Sequence, residues 1–303
     1  MIKNYIKTAW RNILQNKFYA TINVTGLTVG LVVGLFMLLW VQDELSFDKN
    51  NSKAKNIYKV GIVGGTGISK QIFNHIIAPV ATFAKSEIPE VKDAVRVMPL
   101  GDAPFKYKDK VFYETNFAFT DPSYFTVFDF NLIKGDKRNP FPDNSSIVIT
   151  ESTAKRYFGN EDPIGKIVIT GQDEQNKVTG VIADYPANSS FQYHVLMPIS
   201  RFNDLAYIKS KKSYDNKTII SSMDADWSNF GFETYLLLKN DNVNTVALEK
   251  KLQAIHERQN PVDAPVPYLT QPLLKMHLYK ADGTDAGMST VSTFAIVALM
   301  LLV

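Results

Sequence analysis

The segment Ser146-Ile-Val-Ile-Thr150-Glu-Ser-Thr-Ala154-Lys-Arg-Tyr-Phe158-Gly159-Asn-Glu-Asp-Pro163-Ile-Gly165, followed by Lys177-Val-Thr-Gly180-Val-Ile-Ala-Asp184-Tyr-Pro186-Ala-Asn-Ser-Ser190, reads as strand, helix and hairpin in turn. Residues 146–149 read as a buried strand, with Ile147-Val148-Ile149 a short β-branched run. Thr150 stands where a hydroxyl can cap a helix, Ala154 and Phe158 fall on its inward side, and Gly159 stops it. Pro163-Ile-Gly165 then turns the chain into a hairpin over 166–170 and 177–182. Further strand signals at 105–107 and 110–113 make residues 101–230 a mostly β region.

On either side the pattern changes. Residues 57–63 read as a strand, Pro79 opens a short helix to Lys85, and 91–97 is the next strand. Later, 234–239 is a strand, Asn244 or Thr245 caps a helix with Leu248, Leu252 and Ile255 on one face, and 268–279 returns as a strand. Two β-α-β units thus flank the middle region. The expected fold class is α+β, with a body at 43–288 split into a β-α-β part (43–100 and 231–288) and an inserted subdomain (101–230).

Residues 18–42 contain no charge, and 25 residues at ~1.5 Å each reach about 38 Å, enough for a hydrocarbon core of roughly 30 Å. This is expected to be a retained transmembrane helix. A cleaved signal would have a shorter apolar core and a small-residue cleavage site. Lys3, Lys7, Arg11 and Lys17 precede the span while Asp43, Glu44 and Asp48 follow it, so the N-terminus is expected in the cytoplasm and the body outside. Within residues 1–17, apolar positions recur at helical spacing around Trp10, beside the basic row Lys3, Lys7 and Arg11. That is the pattern of an interfacial cytoplasmic helix, which either anchors the chain on membrane lipid or also meets a cytoplasmic partner. Gly26, Gly30 and Gly34 fall four apart on one face of the span, where another helix could approach closely. Residues 289–303 are expected to start a second span that is cut short.

The 303 residues carry a net charge of +3, and the four bases of the N-terminal segment account for that excess. A near-neutral body has no electrostatic footprint for nucleic acid. With no cysteine in the chain, a disulfide framework, a thiolate zinc site and a cysteine nucleophile are excluded. Gly61 to Lys70 is rich in glycine but has Ser69 before the lysine and Gln71 after it, which fails the phosphate-loop spacing. His256-Glu257 is half of a zinc-protease motif, with Asn260 where the second histidine belongs. His75, His194 and His277 also have no ligand-spaced partner, so all four are expected to be surface or hydrogen-bonded residues. The pairs Asp43-Glu44, Glu161-Asp162 and Asp173-Glu174 are adjacent in sequence and read as solvated faces. No catalytic, cofactor-binding or metal-ligating residue is expected.

Taken together, the opening segment resembles the MacB-like/FtsX-like permeases of ABC transporters. The shared features are Thr150-Glu151, Ala154-Lys155 with Phe158-Gly159, Asp162-Pro163 with Gly165, and Gly180-Val181 with Asp184, Pro186 and serine. The start is similar too: Trp10-Arg11-Asn12, the glycine-spaced span, Asp43-Glu44-Leu45-Ser46-Phe47-Asp48 and Ile57-Tyr58-Lys59-Val60. The resemblance implies a porter-like subdomain interrupted by a second one, standing on a four-helix permease of the bacterial inner membrane with its main domain periplasmic. It also implies a non-catalytic chain, a separate ATP-binding subunit that hydrolyses ATP, and a homodimer or a paralogous permease partner. The motion would export or extract a substrate. A two-span receptor with an external ligand-binding sensor domain is the alternative.

Overall fold

The computed structural model describes residues 2–65, 70–171, 173–204, 222–262 and 265–302. They form two compact units, Met1–Phe47 with Asp285–Val303, and Asp48–Thr284. The first is helical: α1 (Ile2–Gln15), α2 (Lys17–Glu44) and a later helix, Met288–Leu302. Among the described residues α2 is the one helix long and apolar enough to cross a membrane. Its apolar side chains face outward, with Phe18, Leu27 and Phe36 all exposed. An all-round apolar surface without protein cover is what lipid requires.

The second unit is built on one sheet. In chain order it contains β1 (Ile57–Gly64), β2 (Gln71–Phe73), α3 (Pro79–Glu87), β3 (Val91–Leu100), β4 (Ala103–Tyr107), β5 (Lys110–Glu114), β6 (Phe117–Thr120) and α4 (Tyr124–Val127). There follow β7 (Leu132–Gly135), β8 (Ser146–Thr150), α5 (Glu151–Phe158), β9 (Ile167–Thr170), β10 (Glu174–Ile182) and β11 (Val195–Pro198). Last come β12 (Glu233–Leu238), α6 (Thr245–Gln259) and β13 (Tyr268–Pro272), so the helix Met288–Leu302 of the first unit is α7.

The order along the sheet is β13-β1-β12-β3-β6-β11-β8-β10-β9-β4-β5, with β2 on β1 and β7 on β10. The two β-α-β units therefore interleave. β12 sits between β1 and β3, antiparallel to both, and β1 sits between β12 and β13. That is a split β-α-β arrangement. The ten-residue β3 is shared: its first part pairs with β12 and its last four residues pair with β6. One sheet thus continues from the split β-α-β part into the inserted region.

Alternation within strands divides the interior. On β12, Leu236 and Leu238 join a core with Leu248, Leu252 and Ile255 of α6, while Tyr235 and Leu237 join an aromatic core on the opposite face. On β8, Ile147 and Ile149 point into a third core while Val148 faces the aromatic one. Strands buried on both faces lack the alternation of a half-buried strand. This explains why β6 and β11, four residues each and fully buried, carried no strand signal.

The caps follow the side chains expected. The Thr150 side chain accepts from the Thr153 amide, Asn244 from that of Ala247, and Gly159 leaves α5 at φ +63°. The strand expected over 268–279 is shorter. It ends at Pro272, and Leu273–Lys275 turns as a 3-10 segment that buries Leu273 in the aromatic core. A proline that cannot continue the ladder and an apolar side chain drawn inward account for the difference.

Candidate functional site

In the helical unit, α2 packs on α7. Gly34 is the glycine of the spaced trio at this contact: a Cβ there would lie 3.2 Å from Leu302 and 3.4 Å from the Ala298 carbonyl. Gly26 and Gly30 have nothing within 4 Å. One turn and a half beyond Gly34, Trp40 meets Phe294 with ring centroids 4.9 Å apart. Gly34→Ala needs only the flexible end of Leu302 to move, whereas Gly34→Leu has no room against the Ala298 backbone. We therefore expect Gly34→Leu to abolish cross-linking between cysteines placed on α2 and α7, and Gly30→Leu to leave it intact. Along α1, Tyr5, Ile6, Trp10 and Leu14 form an exposed apolar row beside exposed Lys7 and Arg11. The side chain of Lys3 lies outside the described residues, as do residues 66–69 of the glycine-rich stretch.

At the entry to the sheet unit, two motifs about 140 positions apart meet. Asp48 is 2% exposed, and its carboxylate accepts from the Ser190 amide at 2.8 Å and the Ser190 hydroxyl at 2.6 Å. Its own amide donates to the Asn188 carbonyl at 2.9 Å. Asp48 adopts φ +58°, a left-handed conformation that aspartate tolerates better than most residues. Burial raises its carboxyl above the usual range, against the lowering effect of the serine hydrogen bonds. Next to it, the Asn51 amide reaches the Val127 carbonyl, and Ser52 donates to Asp129 through its amide at 3.1 Å and through its hydroxyl. Lys53 binds Asp129 and the Thr126 carbonyl. Burial works against the charge of Asp129, but Lys53 and Ser52 together hold its carboxyl below the usual range. The segment that follows α2 is thereby fastened to the inserted region at two points.

A second knot lies where β3 passes between the two regions. Arg96, 7% exposed, grips Asp121 through Nε at 2.9 Å and Nη2 at 2.8 Å, and reaches Asp224 through Nη1 at 2.5 Å. Thr82 of α3 also donates to Asp224 at 2.7 Å. Burial disfavours the Arg96 cation, yet the two carboxylates outweigh it and raise its affinity for the proton. A planar guanidinium with two forks used is suited to fix three chain segments at once.

Glu161 is held down to about 2 by hydrogen bonds from Lys166 and Lys108, and Asp162 pairs with Lys134. His256 is 1% exposed with Nδ1 2.8 Å from the Tyr268 hydroxyl, and His75 is exposed. His194 faces Glu114 across 3.4 Å. Among the described residues no group of three or more acidic, histidine or cysteine side chains could hold a metal ion.

The family model of the MacB-like periplasmic core domain matches residues 20–255, more than half of the chain. The chain belongs to the MacB-like permease family. As a MacB-like protein it is a permease component of ABC-transporter type and a protein of the inner membrane, from a family that is not catalytic. The fold agrees. A domain described as part of a permease protein from Porphyromonas gingivalis superposes with a TM-score of 0.59 at 23% identity, covering 73% of this chain and 91% of that one. The extracellular domain of the noncanonic ABC-type transporter YknZ from Gram-positive bacteria gives 0.50 at 12% identity, covering 71% and 100%. The periplasmic region of MacB from Actinobacillus actinomycetemcomitans gives 0.48 at 18% identity, covering 73% and 90%. No curated protein matches the sequence. In the MacB-like chain, sequence reasoning marked Asp48, Asp184 and Ser190 as motif members without pairing them, and it passed over Arg96 and Glu114, whose partners are 25 or more positions away.

Proposed function

We propose that this chain transmits ATP-driven movement of a separate ATP-binding subunit to its external domain, so that a substrate is exported or extracted by shape change. The family match carries this reading, because it runs from the body of α2 into α6 without a break. The Asp48 and Asp129 contacts support it mechanically. Asp48 comes four residues after the end of α2, so a pull on that helix is delivered to the inserted region through buried hydrogen bonds. The N-terminus lies in the cytoplasm and the domain from about residue 43 to 288 in the periplasm, since Lys7 and Arg11 precede the span and Asp43 and Glu44 follow it. The face of Gly26 and Gly30 takes a span from a second copy or a paralogous permease, and α1 rests on lipid through Trp10 with Lys7 and Arg11 toward the headgroups.

The absence of cysteine makes the topology directly testable. In intact cells, a membrane-impermeant maleimide that passes only the outer membrane should label Asn160→Cys, at an exposed turn, and should reach Asn4→Cys only after the inner membrane is opened. The opposite pattern would place the domain in the cytoplasm and end the permease reading in this form.

A further inference from the structure

Glu114, the last residue of β5, has a side chain with no solvent exposure. Its Oε1 accepts from the Tyr157 hydroxyl at 2.6 Å and from the Arg156 guanidinium. Its Oε2 makes no hydrogen bond, and an atom so placed is costly to leave unsatisfied. Nδ1 of His194 stands 3.4 Å from it. His194 lies directly before β11; its side chain is 39% exposed and lines a cleft of about 300 Å³ with Ser152, Arg156, Asp184 and Gln192.

Along the sheet, β5 and β11 are five places apart. In a flat sheet they would be about 24 Å apart at ~4.8 Å per strand. The contact between Glu114 and His194 means that the sheet curls until the end of β5 meets the mouth of β11. Phe105 of β4 against Phe117 of β6, with centroids 5.3 Å apart, shows the same closure. No ladder joins β5 to β11 among the described residues; the seam is bridged by these side chains and by the His194 amide, which donates to the carbonyl of Asn116, two residues after β5, at 2.7 Å.

We propose that His194 is a proton-operated latch on the seam. In its neutral form it offers Oε2 a long contact. Charged by a proton taken from the cleft, it makes a charge-assisted hydrogen bond to Glu114 and draws β5, α5 and the start of β11 together. The groups facing it are Glu114 from β5, Arg156 from α5, and Asp184 and Tyr185 from the loop after β10, while Tyr157 holds the other oxygen of Glu114. From β8 the Thr150 amide donates to the His194 carbonyl at 3.1 Å. Arg156 opposes a second cation, but its charge is met by Glu114. Asp184 favours the cation, and its charge is partly met by the Ser152 amide at 3.0 Å. The balance rests on the buried carboxylate, whose field is least screened. The device is independent of the transport reading: it follows from the geometry of one seam.

A group that stabilises the fold when protonated contributes below the pH at which it loses that proton and ceases to contribute above it. Thermal unfolding of the full chain in detergent should show this for the unmodified protein, His194→Gln and Glu114→Gln. Between about pH 8 and pH 5.5, the midpoint of the unmodified protein should rise relative to His194→Gln by about 2–4 °C. Glu114→Gln should remove the same pH dependence. The other histidines and Asp48 are common to all three proteins and cancel. Parallel pH profiles for the unmodified protein and His194→Gln would overturn the latch. If either variant fails to fold, histidine-labelled spectra of the unmodified protein decide: one ring should change with pH and perturb the Tyr157 ring as it does. No such ring, or one without effect on Tyr157, would likewise overturn it.

Discussion

Replacement of Arg96 by alanine is expected to destabilise the sheet unit by about 3–5 kcal/mol, the cost of stripping one partner from a buried ion pair. The change leaves Asp121 and Asp224 facing one another without a cation and removes the tie from β3 to the segment around Asp224. Trp227 is the only tryptophan between residues 48 and 284, so its fluorescence reports this unit during denaturant unfolding. Arg96→Lys should recover only part of the loss, because an ammonium cannot hold Asp121 with two parallel hydrogen bonds and also reach Asp224. Full recovery by lysine would show that charge alone, and not the forked geometry, fastens the knot.

The second large effect is expected at Asp48. Asp48→Ala leaves the Ser190 amide and hydroxyl without their acceptor and places alanine at φ +58°. A cost of about 2–4 kcal/mol follows from the lost hydrogen bonds and the left-handed backbone. Asp48→Asn keeps an acceptor and should cost much less at neutral pH. The pH dependence has a definite sign. Burial raises the native carboxyl above its unfolded value, so its contribution is complete below the unfolded value of about 3.9 and is lost as pH rises through the raised native one. Stability measured relative to Asp48→Asn should therefore be greatest in acid and fall toward neutrality. A difference that grows with pH would mean that the serine hydrogen bonds outweigh desolvation.

How much of this was legible in the sequence depends on the range of the interaction. Thr150, Gly159 and Asn244 act within four residues, and the elements they bound were readable from local chemistry. The uncharged run of α2 was equally plain. The strand order was not: insertion of β12 between β1 and β3 joins segments about 140 positions apart, and a β-α-β pattern does not say whether two units flank or interleave. Short strands covered on both faces, such as β6 and β11, lose the period-two signal that would announce them. The glycine spacing placed three residues on one helix face, but their neighbours are set by packing, and within the chain α7 meets Gly34. For the same reason His194 read as a solitary histidine. Its counterpart Glu114 is 80 positions away, at the far edge of a sheet that curls back.

The central proposal is that the chain performs mechanical work supplied by a separate ATP-binding subunit. The most direct measurement is ATP hydrolysis by the complex isolated from native membranes through a tag on this chain. Hydrolysis should accompany the isolated complex, vanish when the nucleotide site of the co-purifying subunit is disabled, and be absent from this chain purified alone. A complex with no ATP-binding subunit, or hydrolysis that stays with this chain after every partner is removed, would contradict the account.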